Sequence, residues 1–345
     1  MADVLNRYSD ISPRTTAFSV VDLLDRAKYL MLSDRFGQVK AIPSRKSKSV
    51  VFRRYEALSL VDAPLAEGVT PAGQALTKTD VQFTLEQFGG WVPITDVVQD
   101  THEDAVLQEA IDILGDQASF SLDKITWGKL LGGTSVYYGQ SSATAYTTRL
   151  TLALAPFTGT YGAAILKKIK RTFQKNGAQF QTTIVKASVK IATQPVGPCY
   201  FAVTHSDVEA DIRACTAFVS AVNYADSDKA IEGEIGSIGD FRFCITPLMP
   251  YWANGGAAVG TDAQLSDGAV NNNVYPILIF GKNAYGVCPF KGKMAADMFV
   301  LNPGVARGGD PLGQRGSAGW KALRTAGILN DAWMTRIEVT ATTNP

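Results

Sequence analysis

The stretch from Lys48 to Leu131 most constrains what this chain can fold into. On its first arm Val51 and Tyr55 lie on one face, with Arg54 and Glu56 nearer the other. On the returning arm Val81, Phe83 and Leu85 alternate with Gln82, Thr84 and Glu86. A period of two sends one row toward protein and the other toward water, which predicts the two strands of a long hairpin. Between the arms Pro64, Gly68, Pro71 and Gly73 punctuate a tip that cannot be helical. Arms of about ten residues, at about 3.3 Å each, make a ribbon roughly 30 Å long. Such a ribbon has little core of its own and is marginal alone in water, so it is expected to lie on something else.

From Thr101 the period changes. Thr101-His102-Glu103-Asp104 has the T-x-x-D spacing of a capping box, and acids there suit the positive end of a helix dipole. Leu107, Ala110, Ile111, Leu114, Ala118, Leu122 and Ile125 then recur in steps of three and four, one stripe on one face. Gly132-Gly133 stops a helix of about 40 Å at 1.5 Å per residue. A projecting ribbon beside a long helix suits a protein that holds neighbours.

Length and composition bound the rest. At 345 residues the chain is long enough for about two domains. Its 33 basic and 32 acidic residues leave a net charge of +1, which excludes strong global attraction to polyanions or membrane surfaces but not weak local contact. Cys199, Cys215, Cys244 and Cys288 are scattered without a C-x-x-C pair, the pattern of reduced, buried thiols. Met1–Asn6 offers no basic-plus-apolar leader, and apolar runs such as Tyr275–Phe280 are far below spanning length. The expectation is a soluble chain made inside the cell.

Along the chain, residues 1–20 read as a polar arm and 19–36 as a helix with Val20, Leu23, Leu24, Ala27 and Leu30 on one face. Residues 132–160 read as an irregular surface loop or short strands, and 161–176 as a helix with Ile165, Leu166, Ile169 and Phe173 inward and a stop at Asn176-Gly177. Tyr200–Val203 reads as a strand, followed by a turn at His205-Ser206-Asp207 and a short helix over Val208–Arg213. Gly233–Gly239 reads as a turn-rich approach to a strand through Phe241, Phe243 and Ile245. Residues 254–273 and 304–319 read as loose loops, Tyr275–Phe280 as a strand, and Ile337–Val339 as a last strand returning to a sheet. Strands and helices in blocks, without βαβ alternation, give an α+β class.

No catalytic constellation emerges. His102-Glu103 fails the H-E-x-x-H metal motif because position 106 is Val106, and the chain's other histidine is His205. Cys199 near His205 is better read as packing than as a nucleophile pair. Glu103 and Asp104 as carboxylate catalysts compete with their simpler role at a helix start. Gly233, Gly236 and Gly239 match no phosphate-binding spacing. Lys167-Lys168-Ile169-Lys170-Arg171 is a solvated helix face or a DNA contact. Arg53-Arg54-Tyr55 on a ribbon favours pairing with a neighbour's carboxylates.

Three stretches resemble the podovirus-type family of tailed-bacteriophage major capsid proteins. They are Leu85-Glu86-Gln87-Phe88-Gly89-Gly90-Trp91-Val92-Pro93-Ile94-Thr95-Asp96 with Asp100–Asp104, then Gly236–Phe243, then Gly319-Trp320-Lys321-Ala322 with Ile328–Trp333. The resemblance implies the α+β capsid fold shared by tailed phages and herpesviruses. It maps residues 1–47 to an N-terminal arm, 48–92 to an extended loop and 93–199 to a peripheral domain with its spine helix. Residues 200–300 map to an axial domain and 301–345 to a return to the peripheral domain. It further implies self-assembly into hexamers and pentamers of an icosahedral virion shell built in the host cytoplasm. Scaffolding, portal and decoration proteins are the implied partners, with weak, non-specific contact to packaged double-stranded DNA and no cofactor, metal or membrane. Arg53, Arg54, Glu56, Glu67, Val81, Phe83 and Leu85 are the expected subunit-interface residues. A nanocompartment shell with enzyme cargo, or a cytosolic α+β enzyme, are the competing readings.

Overall fold

Alternating rows predict strands but not their partners, and the computed structural model supplies the partners. It describes residues 32–343 apart from 44, 46, 63, 65–67, 69, 71, 102–105, 141–145, 182–196, 225–229, 260–263, 269, 292–295 and 307. The expected helix over 19–36 therefore lies largely outside the described residues, as does most of the capping box at 101–104 and Glu67.

After the short β1 (Gln38–Val39), β2 (Ser49–Tyr55) and β3 (Lys78–Thr84) form the expected antiparallel hairpin, with Ser49 opposite Thr84 and Tyr55 opposite Lys78. The hairpin ends there rather than at 92. At Leu85 the chain turns into a separate strand, β4 (Glu86–Thr95), in a different sheet. Helix α1 (Asp96–Thr101) and the long α2 (Val106–Leu130) follow. Next come β5 (Val136–Tyr138), α3 (Gly159–Lys175), β6 (Tyr200–Thr204), α4 (Glu209–Arg213), β7 (Phe218–Ser220), β8 (Glu234–Ile238) and β9 (Phe241–Ile245). The chain closes with β10 (Tyr275–Phe280), β11 (Tyr285–Pro289), β12 (Asp297–Leu301), β13 (Arg315–Ile328) and β14 (Met334–Val339).

Two larger sheets organise these elements. The first runs β1-β11-β13-β12, with β4 along the other edge of β13 from Glu86 opposite Arg324 to Thr95 opposite Arg315. The stripe of α2 covers one of its faces, with Ile111, Leu114, Ala118 and Leu122 buried against Ala318, Trp320 and Ala322. Small residues on either side of Trp320 let helix and sheet approach, and the Trp320 indole N–H donates to Gln117 at 3.0 Å.

The second sheet runs β5-β14-β10-β6-β9-β8-β7. Every residue of β10 is buried because both faces of the strand are covered. Ile277 and Ile279 meet Ile165, Ile169 and Phe173 of α3. Leu278 and Phe280 turn to the opposite face, where Trp127 and Leu130 bring in the last turns of α2. The predicted stop of α3 is a Schellman turn: Gly177 is at φ +68°, and the Ala178 N–H donates to the Phe173 carbonyl at 2.9 Å.

Several expectations are corrected. The segment over 132–160 does carry a short strand, β5, but it is not all surface, since it buries Leu152, Ala155 and Phe157. Glu234–Ile238 is a strand, since Gly239 at φ +60° closes a hairpin into β9. The loop over 254–273 is tied into the body through buried Gln264, Asn272 and Asn273, with the Asn272 side chain donating to the Ala153 carbonyl at 2.7 Å. Sheet membership also cuts across the expected blocks. α3 and β5 lie with the second sheet, β11 and β12 with the first, and the last strand, β14, pairs with β10 in the second.

All four cysteines are free and buried. Burial pushes the Cys215 thiol up to about 12 and the Cys288 thiol to about 11. Cys199 and His205 sit at opposite ends of β6, so the strand itself holds them apart. Iodoacetamide at pH 8 is expected to leave all four thiols unmodified in the folded protein and to label them in denaturant, read by mass spectrometry.

Candidate assembly surface

The foot of the hairpin is fastened to its own chain. Phe52 and Phe83, with ring centroids 5.5 Å apart, press down on two positions that have no side chain. A Cβ at Gly327 would lie 2.2 Å from a Phe83 ring carbon, and one at Gly286 3.2 Å from the Phe52 ring. Leu85, 2% exposed, packs with Ile42 and Cys288. Val81 and Phe52 line a cleft of about 260 Å³ against Lys40, Leu329 and Trp333. The expectation that the whole limb finds its burial on another copy therefore fails at the foot. Phe83 and Leu85 spend their apolar surface at home, because the foot of the hairpin lies over β11 and the end of β13.

The charged residues of the ribbon are likewise closed within it. Arg53 clasps Asp80 across the strands with two bonds, at 2.8 and 3.2 Å. Arg54 reaches Glu56 at 2.9 Å, and the Thr79 hydroxyl donates to the same carboxylate at 2.6 Å. The Thr79 and Arg54 bonds hold the Glu56 carboxyl below the ordinary range, and the Arg53 bond does the same for Asp80. Both groups stay ionised at neutral pH, and the clasp is lost only as the pH falls through those lowered values.

Beyond the last rung, where the Glu56 N–H donates to the Thr77 carbonyl at 3.0 Å, the tip lies open. Leu60 is 89% exposed, and Leu58, Val61 and Leu76 are also largely exposed. Four exposed aliphatic side chains in one segment leave apolar surface available for a contact. In the sequence, Pro and Gly punctuation marks this tip, and its leucines follow no period that would set them apart.

A second apolar surface lies on the face of the first sheet turned away from α2. Trp91, Phe299 and Leu301 rim a groove of about 480 Å³ whose floor is left bare by Gly89 and Gly319. Alternation along β4 points Trp91 outward while Val92 and Ile94 turn in. That signal was visible only once Glu86–Thr95 was known to be a strand.

Elsewhere, Lys167, Lys168 and Arg171 stand on the solvent side of α3, and Lys170 pairs with Asp240. His102, Glu103 and Asp104 lie outside the described residues. Among the described residues no cluster of His, Cys, Asp or Glu has metal-binding geometry, and no helix is long and apolar enough to cross a membrane.

Substituting Gly327→Val is expected to unseat the foot of the hairpin through the Phe83 ring, costing about 1–3 kcal/mol. Thermal denaturation and faster amide exchange in β2 and β3 would register it. Carboxyl 13C titration is expected to place Glu56 and Asp80 below reference carboxylates.

Comparison with known proteins agrees with this geometry. The family model described as phage capsid protein matches residues 78–337. Over 188 residues the chain is 25% identical to the major capsid protein of Pseudomonas phage KPP21, covering 51% of this chain and 47% of that protein. The chain thus spans about half the length of the curated relative it matches. The capsid of Ralstonia phage GP4 superposes with a TM-score of 0.59 at 12% identity, over 99% of this chain and 97% of that one. The Cyanophage Pam1 capsid asymmetric unit gives 0.59 at 12% identity over 100% of both chains. Identities this low speak to the fold alone, which is the α+β fold of tailed-phage capsid subunits. With most of its length matched by one family model, the chain belongs to the phage capsid protein family.

Proposed function

We propose that the chain is a major capsid subunit whose copies assemble into the hexamers and pentamers of an icosahedral shell around double-stranded DNA. The observation that carries this reading is the division of the hairpin into a fastened foot and an open tip. Leu58, Leu60, Val61 and Leu76 gain burial only from something outside the described chain. A shell supplies it by laying each tip on an adjacent copy, in heterologous contacts that close. Each contact can be modest, since a subunit held by many neighbours leaves only when all are broken.

In this assignment the hairpin over 48–84 is the extended loop and α2 the spine helix. The first sheet belongs to the peripheral domain and the second to the axial domain. Arg53, Arg54, Glu56, Glu67 and Val81 remain interface candidates, with Arg53, Arg54 and Glu56 able to exchange their partners within the ribbon for partners on a neighbour. The role is structural rather than enzymatic. Assembly in the host cytoplasm with scaffolding, portal and decoration proteins belongs to the same proposal. A nanocompartment shell shares the architecture, but the family match favours a virion, and particle contents separate the two: DNA with a portal vertex, or protein cargo.

Expressed alone or with its scaffold, the chain is expected to form closed particles or capsomers visible by electron microscopy. Deleting residues 60–76 is expected to abolish them while leaving a folded monomer. Small oligomers under all conditions, indifferent to that deletion, would overturn the reading.

A further inference from the structure

The net charge of +1 conceals a segregated distribution. Residues 79–123 contain ten carboxylates and no Lys or Arg, whereas residues 124–206 contain ten Lys and Arg and no carboxylate. The fold turns parts of these two runs into two helix faces. On α2, Glu109, Asp112 and Asp116 share the side opposite the buried stripe, at spacings of three and four. Ile113 and Phe120, 66% and 40% exposed, stand on that same face. On α3, Lys167, Lys168, Arg171 and Lys175 are exposed opposite Ile165, Ile169 and Phe173. Among the described residues none of these seven charged groups has an ion-pair partner.

We infer that the acidic face of α2 on one copy docks against the basic face of α3 on the next. This contact rests on the shell-subunit reading and adds to it a second joint, independent of the hairpin tip. Like charges three and four apart repel along a helix, so each face is relieved when the opposite sign is set against it. The charged rows match in length, about 10 Å from Glu109 to Asp116 and about 12 Å from Lys167 to Lys175 at 1.5 Å per residue.

Neither face is self-complementary, so neither can sit on a two-fold axis against its own copy, and the joint inferred is repeated in one sense from copy to copy rather than reciprocated. Face against opposite face is a head-to-tail joint, which generates a ring when the rotation closes. A basic face meant for nucleic acid would need no matching acidic face elsewhere on the chain. Nor would a polyanion explain two large apolar side chains standing within the carboxylates.

The test is charge reversal in the full chain, read as particle yield by sedimentation and electron microscopy at low salt, where exposed pairs are least screened. Lys167→Glu with Arg171→Glu, and separately Asp112→Lys with Asp116→Lys, are each expected to cut particle yield at least about tenfold. All four reversals in one chain restore complementarity and are expected to restore most of the yield. Circular dichroism and thermal melts report whether each variant folds, and Phe120→Ser, a milder change on the same face, is expected to lower yield in the same direction. Reversals that leave yield unchanged, or a fourfold variant no better than the worse double, overturn the contact. So does an α3 reversal that spares particle number but lowers DNA content, which would turn that face toward nucleic acid. Wild-type chain forming no particles overturns the shell-subunit reading itself, and this joint with it.

Discussion

Strand β13 is paired along both edges, and nearly everything that positions the assembly surfaces hangs on that fact. β4 follows it for ten positions on one side, and β12 and then β11 follow it on the other. With both ladders filled, the strand offers no open edge in the middle of the sheet. Its alternation then divides the load. Ala318, Trp320 and Ala322 receive α2, Gly319 leaves the outer groove bare, and Gly327 provides the notch for Phe83. Long helix, outer groove and projecting limb are thus registered to one fourteen-residue strand.

The two sheets are joined through the far end of α2. Trp127 and Leu130 enter the apolar layer beneath Phe201, Leu278 and Phe280, so the helix lies on one sheet along its length and is anchored in the other. Beside that layer, Glu338 is fully buried between two guanidinium groups, Arg149 at 2.7 and 2.6 Å and Arg336 at 2.8 Å. Arg336 also donates to the Leu131 carbonyl at the helix end, and Arg149 stacks on Trp252 at 3.5 Å. A carboxylate in such a place is tolerable only with its oxygens fully satisfied, and losing one partner would leave uncompensated charge. The cluster therefore sets where the helix ends relative to β14.

Against this fastened interior, the open surfaces fall into two kinds. The hairpin tip and the groove beside Trp91 are apolar, and burying them yields free energy in proportion to area with little demand on direction. The faces of α2 and α3 are charged, and what they offer is orientation and discrimination between partners. A subunit that must meet copies at slightly varying angles benefits from having both. The closed ion pairs of the ribbon serve neither purpose on their own; they keep β2 and β3 zipped while the tip reaches out.

Local pattern was enough to read that both hairpin arms are strands, though not the face of the first, where Val50 and Phe52 turn inward and Val51 and Tyr55 stay exposed; it was enough as well for the stripe of α2, α3 with its stop at Gly177, and strands β6, β9, β10 and β14. The returning arm and the helices are written in neighbouring side chains that share a face, whereas β6 and β10, buried on both faces, are written as short apolar runs. Charge balance and cysteine scatter were readable for the same reason, being sums over residues. Strand partnership was not readable, because pairing joins residues far apart in the chain and an alternating row names no counterpart. That is why β4, with Gly89, Gly90 and Pro93 inside it, was absorbed into the hairpin, and why β8 looked like turns. Only tertiary structure decided which side of the ribbon was already occupied. Glycines at 286 and 327, more than two hundred residues away, make room for Phe52 and Phe83, and no period within the ribbon reports a notch in a distant strand.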